Sequence, residues 1–170
     1  MTRAHVVVPS PIGDLTVVAE DGAVTHLLMD AAKYRPDDPE IFGEVGDLAD
    51  EPFAAASVQL AAYFAGALTE FDLPLAPRGD DLHQRVWALL REIPYGETRS
   101  YGQLARALGD RNLAQAVGTA NGRNPIAVVV PCHRVIGADG SLVGYAGGLA
   151  RKRYLLALEE PPADQSGRLF

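Results

Sequence analysis

The sequence predicts a mixed α/β protein of the α+β kind, with a small antiparallel sheet in its first half and a helical second half. Three observations predict it. Residues 4–9, 12–20 and 23–30 read as short strands, separated by Pro9-Ser10-Pro11 and by the Asp21-Gly22 turn, a pattern that suits an antiparallel meander. The composition then breaks at the Pro/Gly-bearing linker from Phe71 to Gly79. Beyond it, helix caps and apolar residues at helical spacing recur. A chain of 170 residues can hold one sizeable core or two small domains.

The remaining elements follow in order. Acidic, Pro-rich sequence from Lys33 to Asp50 reads as loop, and residues 52–67 as an Ala-rich helix with Val58, Ala61, Ala62 and Ala65 on one face. Asp81 can cap a helix that carries Leu82, Val86, Leu89, Leu90 and Ile93, and Pro94 ends it. Ser100 and Gln103 fit a capping box; the short helix it opens runs to Leu108 and stops at Gly109. A second short helix spans Leu113 to Ala120 and ends at Asn121-Gly122, so the pair is a helix-turn-helix candidate. Ala114, Ala116, Gly118, Thr119 and Ala120 are small, whereas a major-groove reader carries long polar side chains. Such a helix suits close approach, either to a neighbouring helix or to a minor groove. The β-branched run Ile126 to Val130 reads as a buried strand that stops at Pro131. Ala138 to Ser141 reads as a hairpin turn, Gly144 to Gly148 as a flexible loop, and Leu149 to Glu160 as the last helix. Arg151-Lys152-Arg153 reads as a solvated face of that helix, with phosphate contact as the alternative.

Charge is unevenly placed. The net −7 divides into −9 for residues 1–78, +4 for 79–158 and −2 for 159–170. This asymmetry points to the second half alone as the part that meets a polyanion, although ordinary solvated arginines would produce it too. No apolar run is long enough to span a bilayer and no signal peptide precedes His5-Val6-Val7-Val8, so the expectation is a cytoplasmic protein. One cysteine excludes an intrachain disulfide and a multi-thiolate zinc site, and His5, His26 and His83 have no cysteine nearby. No metal site and no cofactor are expected.

That cysteine, Cys132, lies in Val130-Pro131-Cys132-His133-Arg134-Val135, where an imidazole and a guanidinium follow the thiol. Adjacent positive charge lowers a thiol pKa and makes a thiolate nucleophile. A lone cysteine is also a common small buried apolar residue, and on the thiol alone both readings stand. Glu159 breaks two local rules: it shares the face of Leu155 and Leu156, and its carboxylate opposes the negative end of the helix dipole. A buried partner would explain it, with His133 the obvious candidate; the alternative is an exposed, frayed helix end.

Pro131-Cys132-His133-Arg134-Val135, with Asn124-Pro125 upstream and Gly144-Tyr145-Ala146-Gly147-Gly148 downstream, resembles the O6-alkylguanine-DNA alkyltransferases, the methylated-DNA–protein-cysteine methyltransferases. Ser10-Pro11-Ile12-Gly13, Tyr63-Phe64-Ala65-Gly66, Val86-Trp87, Ile93-Pro94-Tyr95-Gly96 and Leu155 to Glu159 extend the resemblance over nearly the whole chain. It implies a ribonuclease-H-like scaffold domain at 1–76, a winged-helix-like alkyltransferase and DNA-binding domain at 77–162, and a flexible tail at 163–170. It implies irreversible, single-turnover transfer of an alkyl group from O6-methylguanine in double-stranded DNA, and from O4-methylthymine, to Cys132. The lesion base would be turned out of the duplex, bound through the minor groove by a monomer. His133, a bridging water and Glu159 would activate the thiol, and Asn124 would brace the active-site turn. Tyr101 would help rotate the nucleotide; Gly102, Gln115, Ala116, Gly118, Gly122 and Arg123 would join it in DNA binding. Tyr101, Cys132, Val135, Tyr145 and Ala146 would surround the base.

The chain departs from the family at Gln115, where an arginine usually fills the gap left by the flipped base. It also lacks the N-terminal zinc cysteines of some relatives. Two rival readings are a cysteine hydrolase built on Cys132, His133 and Glu159, and a non-catalytic module that only binds alkylated bases.

Overall fold

The computed structural model describes residues 2–161; residue 162 and the stretch 163–170, read above as a tail, lie outside the described residues. Strands β1 (Arg3–Val8), β2 (Leu15–Glu20) and β3 (Ala23–Met29) form the expected antiparallel meander, with Val6 opposite Val17 and Val17 opposite Leu27. A fourth strand, β4 (Glu44–Val45), pairs in parallel with Ala4 and His5, giving the order β3-β2-β1-β4. It lies inside the acidic segment read as loop. Two residues are too few for a side-chain period, so only the partner edge of β1 reveals the strand.

β2 is buried along its whole length because both faces are covered. Leu15, Val17 and Ala19 point into the core. On the opposite face, Arg35 donates to Thr16, and Arg3 and Arg78 hold the Glu20 carboxylate. Helix α1 (Phe53–Phe64) packs on this sheet. Its buried stripe is Phe53, Ala56, Leu60 and Tyr63, not the predicted alanine face, and Val58 is 69% exposed. Area explains the correction: burying a Leu and two aromatic rings removes far more apolar surface from water than burying three alanines.

The linker is not a free tether. Leu75 bridges to Val24 on the outer edge of β3, with Val24 N donating to Pro74 O and Ala76 N to Val24 O. Farther along the same edge, Leu27 N donates to Pro125 O and Ala127 N to Leu27 O. The last strand edge of the sheet is thus covered, and the segment after Asn124 is hooked onto it.

Helix α2 (Asp81–Arg91) is capped by Asp80, one residue earlier than predicted: the Asp80 carboxylate accepts from His83 N. Strand β5 (Arg99–Ser100) leads into α3 (Tyr101–Ala107), whose Ser100–Gln103 capping box forms as expected. A 3-10 turn (Arg111–Leu113) precedes α4 (Ala114–Gly122). Trp87 donates its indole N–H to Ala120 O at 2.8 Å, tying α2 to α4. Strand β6 (Val135–Ile136) pairs in parallel with β5, so the turn at 138–141 forms but no strand returns from it. Helix α5 (Leu149–Glu159) closes the fold. One continuous core runs from Leu15 and Tyr63 through Leu90 and Val117 to Cys132 and Leu155, so both halves share it. Among the described residues no helix is long and apolar enough to cross a membrane.

Candidate active site

The run Ile126 to Val130 is buried, as predicted, but it is not a strand. It folds as consecutive turns around Val128, whose φ is +69°, and only Ile126 makes a ladder bridge, to Leu27. Apolar periodicity reports burial, and burial alone does not distinguish a strand from a packed turn. Asn124 supplies what a partner strand would have supplied. Its side chain accepts from Ile126 N at 3.0 Å and donates to Val130 O at 2.8 Å. The chain then enters a 3-10 turn, Cys132–Arg134, that aims three consecutive side chains into the protein.

Cys132 is 6% exposed and lies under the last turn of α4, where Asn121 Nδ2 donates to its carbonyl at 3.4 Å. Burial pushes the thiol pKa up, opposed by Asn124, by the positive charge of Lys152 and by the Tyr145 hydroxyl. The sequence expectation that adjacent positive charge lowers it is therefore corrected. Arg134 turns away from the sulfur, donating through Nε to Glu159 Oε1 at 2.7 Å, through Nη2 to Oε2 at 3.0 Å, and through Nη1 to Ile93 O.

The partner inferred for Glu159 is present. His133 Nε2 lies 2.7 Å from Glu159 Oε2, and both side chains are buried. Three further donors converge on the carboxylate: the two Arg134 N–H groups, and the Tyr63 hydroxyl, which reaches Oε2 from α1 at 2.5 Å. Burial works against the charge of Glu159, but these donors win and hold its pKa down at about 2. Desolvation lowers the His133 pKa, only partly offset by Glu159, so the imidazole is neutral near pH 7. Its Nδ1 is buried and has no protein partner.

Lys152 corrects another expectation. Within the run read as a solvated face it is fully buried, and its ammonium donates to Val143 O and Gly144 O, both at 3.1 Å. Arg151 reaches Ile12 O and Asp30 O, and only Arg153 is exposed. The loop from Gly144 to Gly148 is accordingly pinned from several sides. Ala146 O accepts from Lys33 N at 2.7 Å, and a Cβ on Gly147 would lie 2.7 Å from the end of the Met29 side chain, which would have to shift to admit it.

A cavity of about 280 Å³ is lined by Lys33, Tyr34, Tyr101, Gly118, Asn121, Gly122, Gly144, Tyr145 and Ala146. Cys132 does not line it itself but is tied to it through Asn121, which donates to the Cys132 carbonyl. Tyr101 donates to Val143 O, and its ring lies 3.8 Å from where a Cβ on Gly118 would be. Gln115 and Arg123 are exposed at the two ends of α4, Ala116 is partly covered, and Gly102 sits in the first turn of α3. Val135 is fully buried beneath the site, its N–H on Cys132 O, and does not line the cavity. His5 pairs with Phe42 O, His26 with Thr25, and His83 stacks on Trp87, so the other three histidines are engaged elsewhere. Sequence reasoning missed Tyr63, Arg134, Lys152 and Asn121. For Tyr63 a signal existed, since it completes the stripe of Phe53, Ala56 and Leu60.

The chain matches two family models. The ribonuclease-like domain of 6-O-methylguanine DNA methyltransferase covers residues 5–77, and the DNA-binding domain of the same enzyme covers 81–161. It is 53% identical over 165 residues to a methylated-DNA–protein-cysteine methyltransferase of Mycolicibacterium paratuberculosis, covering 96% of each chain. Its identity to the protein of that name from Methanosarcina acetivorans is 46% over 155 residues, covering 91% of this chain and 97% of that one. Among solved structures, the Mycobacterium tuberculosis O6-methylguanine methyltransferase superposes with a TM-score of 0.83 at 50% identity, covering 96% and 97% of the two chains. The M. tuberculosis protein in complex with DNA also gives 0.83 at 50% identity, with 92% of each covered. With both halves matched and near-full-length identity of about one half, the chain belongs to the 6-O-methylguanine DNA methyltransferase family.

Proposed function

We propose that this protein repairs DNA by direct reversal, moving the alkyl group of O6-alkylguanine onto Cys132 once per molecule. The observation that carries the proposal is the buried relay: a thiol next to Asn121, which lines the cavity, and a neutral His133 whose Nε2 is committed to Glu159 while Nδ1 is left without a protein partner. The thiol proton passes through a bridging water to Nδ1, and the imidazolium that forms is stabilised by an anionic Glu159. The Cys132 sulfur then forms a bond to the alkyl carbon as the carbon–O6 bond breaks. The electron pair returns to the guanine, which takes a proton and leaves as the neutral base. Lys152 favours the developing thiolate, and Asn124 and Lys152 hold the two backbone segments that frame it.

The base reaches the thiol only by leaving the duplex. Small residues along α4 allow the backbone to lie close to a minor-groove floor, with α3 and α4 acting as the helix-turn-helix. Tyr101 stands beside Gly118 to rotate the nucleotide, and Gln115, at the open end of α4, fills the vacated space. Gly102, Ala116, Gly122 and Arg123 are the further DNA contacts, and Tyr145 and Ala146 frame the base. Val135 shapes the floor from below. We extend the reading to O4-methylthymine, to a monomer as the acting species, and to the cytoplasm as its place.

Duplex DNA carrying labelled O6-methylguanine tests this. Label should move to the protein, saturate at one per chain and map to Cys132 as a thioether, a poor leaving group that water does not displace. Product formation beyond one per chain would point to a hydrolase, and label remaining on DNA to a binding module; either defeats the proposal.

A further inference from the structure

Only four basic residues occur among the first 78: Arg3, Lys33, Arg35 and Arg78. Arg3 and Arg78 are paired with Glu20. The other two flank Tyr34 in the loop after β3, and Lys33 and Tyr34 of this loop line the base cavity. Tyr34 is 47% exposed and holds a left-handed φ of +66°, an unusual conformation for an aromatic residue and one that persists where the surroundings enforce it. The surroundings do so here. Lys33 N is bonded to Ala146 O, and the Arg35 guanidinium donates to Met29 O and Thr16.

Over the Tyr34 ring lie cations from both halves of the chain. The Arg123 guanidinium is 4.0 Å from the ring centroid and the Lys33 ammonium 5.1 Å. Behind the ring, a second cavity of about 230 Å³ runs between the loop and the start of the active-site segment. Lys33, Arg35, Arg78, Arg123 and His26 line it, and no carboxylate does. Among the described residues, Lys33, Arg35 and Arg123 make no ion pair. Asp38 is turned away, capping the 3-10 turn through Glu40 N. In a half of net charge −9, an acid-free cationic groove at the rim of the base cavity is a departure that folding alone does not require.

We propose that the Lys33–Arg35 loop and Arg123 form a second DNA contact, gripping the phosphodiester backbone of the strand from which the alkylated nucleotide is turned out. This deepens the function proposed above and rests on it. It also revises the expectation that only the basic second half meets the polyanion. Backbone contacts position a protein without reading sequence, and each neutralised phosphate releases counterions. The stacked Tyr34 ring limits the freedom of Arg123, so less entropy is lost when a phosphate binds.

The test is the salt dependence of binding to a duplex carrying one O6-methylguanine, with Lys33→Gln, Arg123→Gln and the double variant. Arg85→Gln serves as a control of equal charge change, since Arg85 is exposed on α2, two residues from the Trp87 that faces α4. Binding is normalised to the thiol that O6-benzylguanine titrates. Each of the two substitutions should flatten the log–log salt slope by about 0.9, and the double variant by about twice that. Binding should be weaker at low salt and converge on wild type as salt rises. Wild-type slopes in both variants, weaker binding with an unchanged slope, or an equal flattening in the Arg85→Gln control would each overturn the groove. If wild-type protein reacts with O6-benzylguanine and binds the duplex while the slopes do not change, only this inference fails. If wild-type protein does neither, the function proposed above fails with it.

Discussion

Tyr63→Phe tests whether the first half of the chain holds the catalytic carboxylate. The substitution removes one hydroxyl from a fully buried ring and leaves the ring against Phe64, Phe71 and Tyr95. Glu159 Oε2 then keeps two donors, His133 Nε2 and Arg134 Nη2, of its present three. A hydrogen bond to a charged group is worth about 1.5–3 kcal/mol, and the remaining donors favour the lower part of that range. For a domain of this size, a loss of about 2 kcal/mol lowers Tm by roughly 4–8 °C. The effect has a signed pH dependence. The Glu159 pKa is held at about 2, below the ordinary 4.5, so its stabilisation is present above the unfolded value and fades as pH falls toward the folded one. Losing a donor raises the folded value, while the unfolded value is the same in both proteins and cancels. The deficit is therefore complete near pH 7 and shrinks only as pH falls below the variant's raised folded value toward about 2. The freed oxygen also binds the His133 N–H more strongly, so the acid limb of the reaction with O6-benzylguanine moves to higher pH. A thermal melt near pH 7, urea unfolding near pH 7 and near pH 2, and single-turnover kinetics across pH read all three. A Tm change under about 1 °C near pH 7, or a deficit near pH 2 as large as that near pH 7, would refute the reasoning.

Two further substitutions have defined outcomes. Gln115→Arg adds a cation at the exposed end of α4 and should tighten duplex binding and steepen its salt slope by about 0.9, measured by fluorescence anisotropy; equal slopes would place Gln115 off the DNA. Lys152→Met removes the buried charge that opposes the rise in the Cys132 pKa, together with two bonds to the loop at Val143 and Gly144. The reaction with O6-benzylguanine near pH 7 should slow by about tenfold, because a higher thiol pKa leaves less thiolate, and recover as pH rises. An unchanged rate would mean that Lys152 is only a structural tie.

What the sequence determined by itself lies within a few residues of where it is written. The Ser100–Gln103 capping box, the stop at Gly109 and the strand alternation of β1 to β3 are local, because each partner is at most one turn away or follows a fixed period. Glu159 was legible for a different reason: a carboxylate on an apolar helix face breaks local rules, and the violation itself announces a partner. Which partners, and how many, only the tertiary structure decided. Tyr63 meets Glu159 across 96 positions and Arg134 across 25, and no spacing rule reaches that far. The same holds for Lys152, read as solvated because arginines flank it, yet buried because two loop carbonyls take its ammonium. Ile126 to Val130 marks the boundary between the two. Hydrophobicity decided that the segment is inside, but whether it pairs as a strand or turns depends on which group satisfies its backbone, and there Asn124 does so. The thiol shows the same limit: burial raises its pKa, and the charge that opposes this is the buried Lys152, twenty positions away, while the neighbouring Arg134 is spent on Glu159 and Ile93 O.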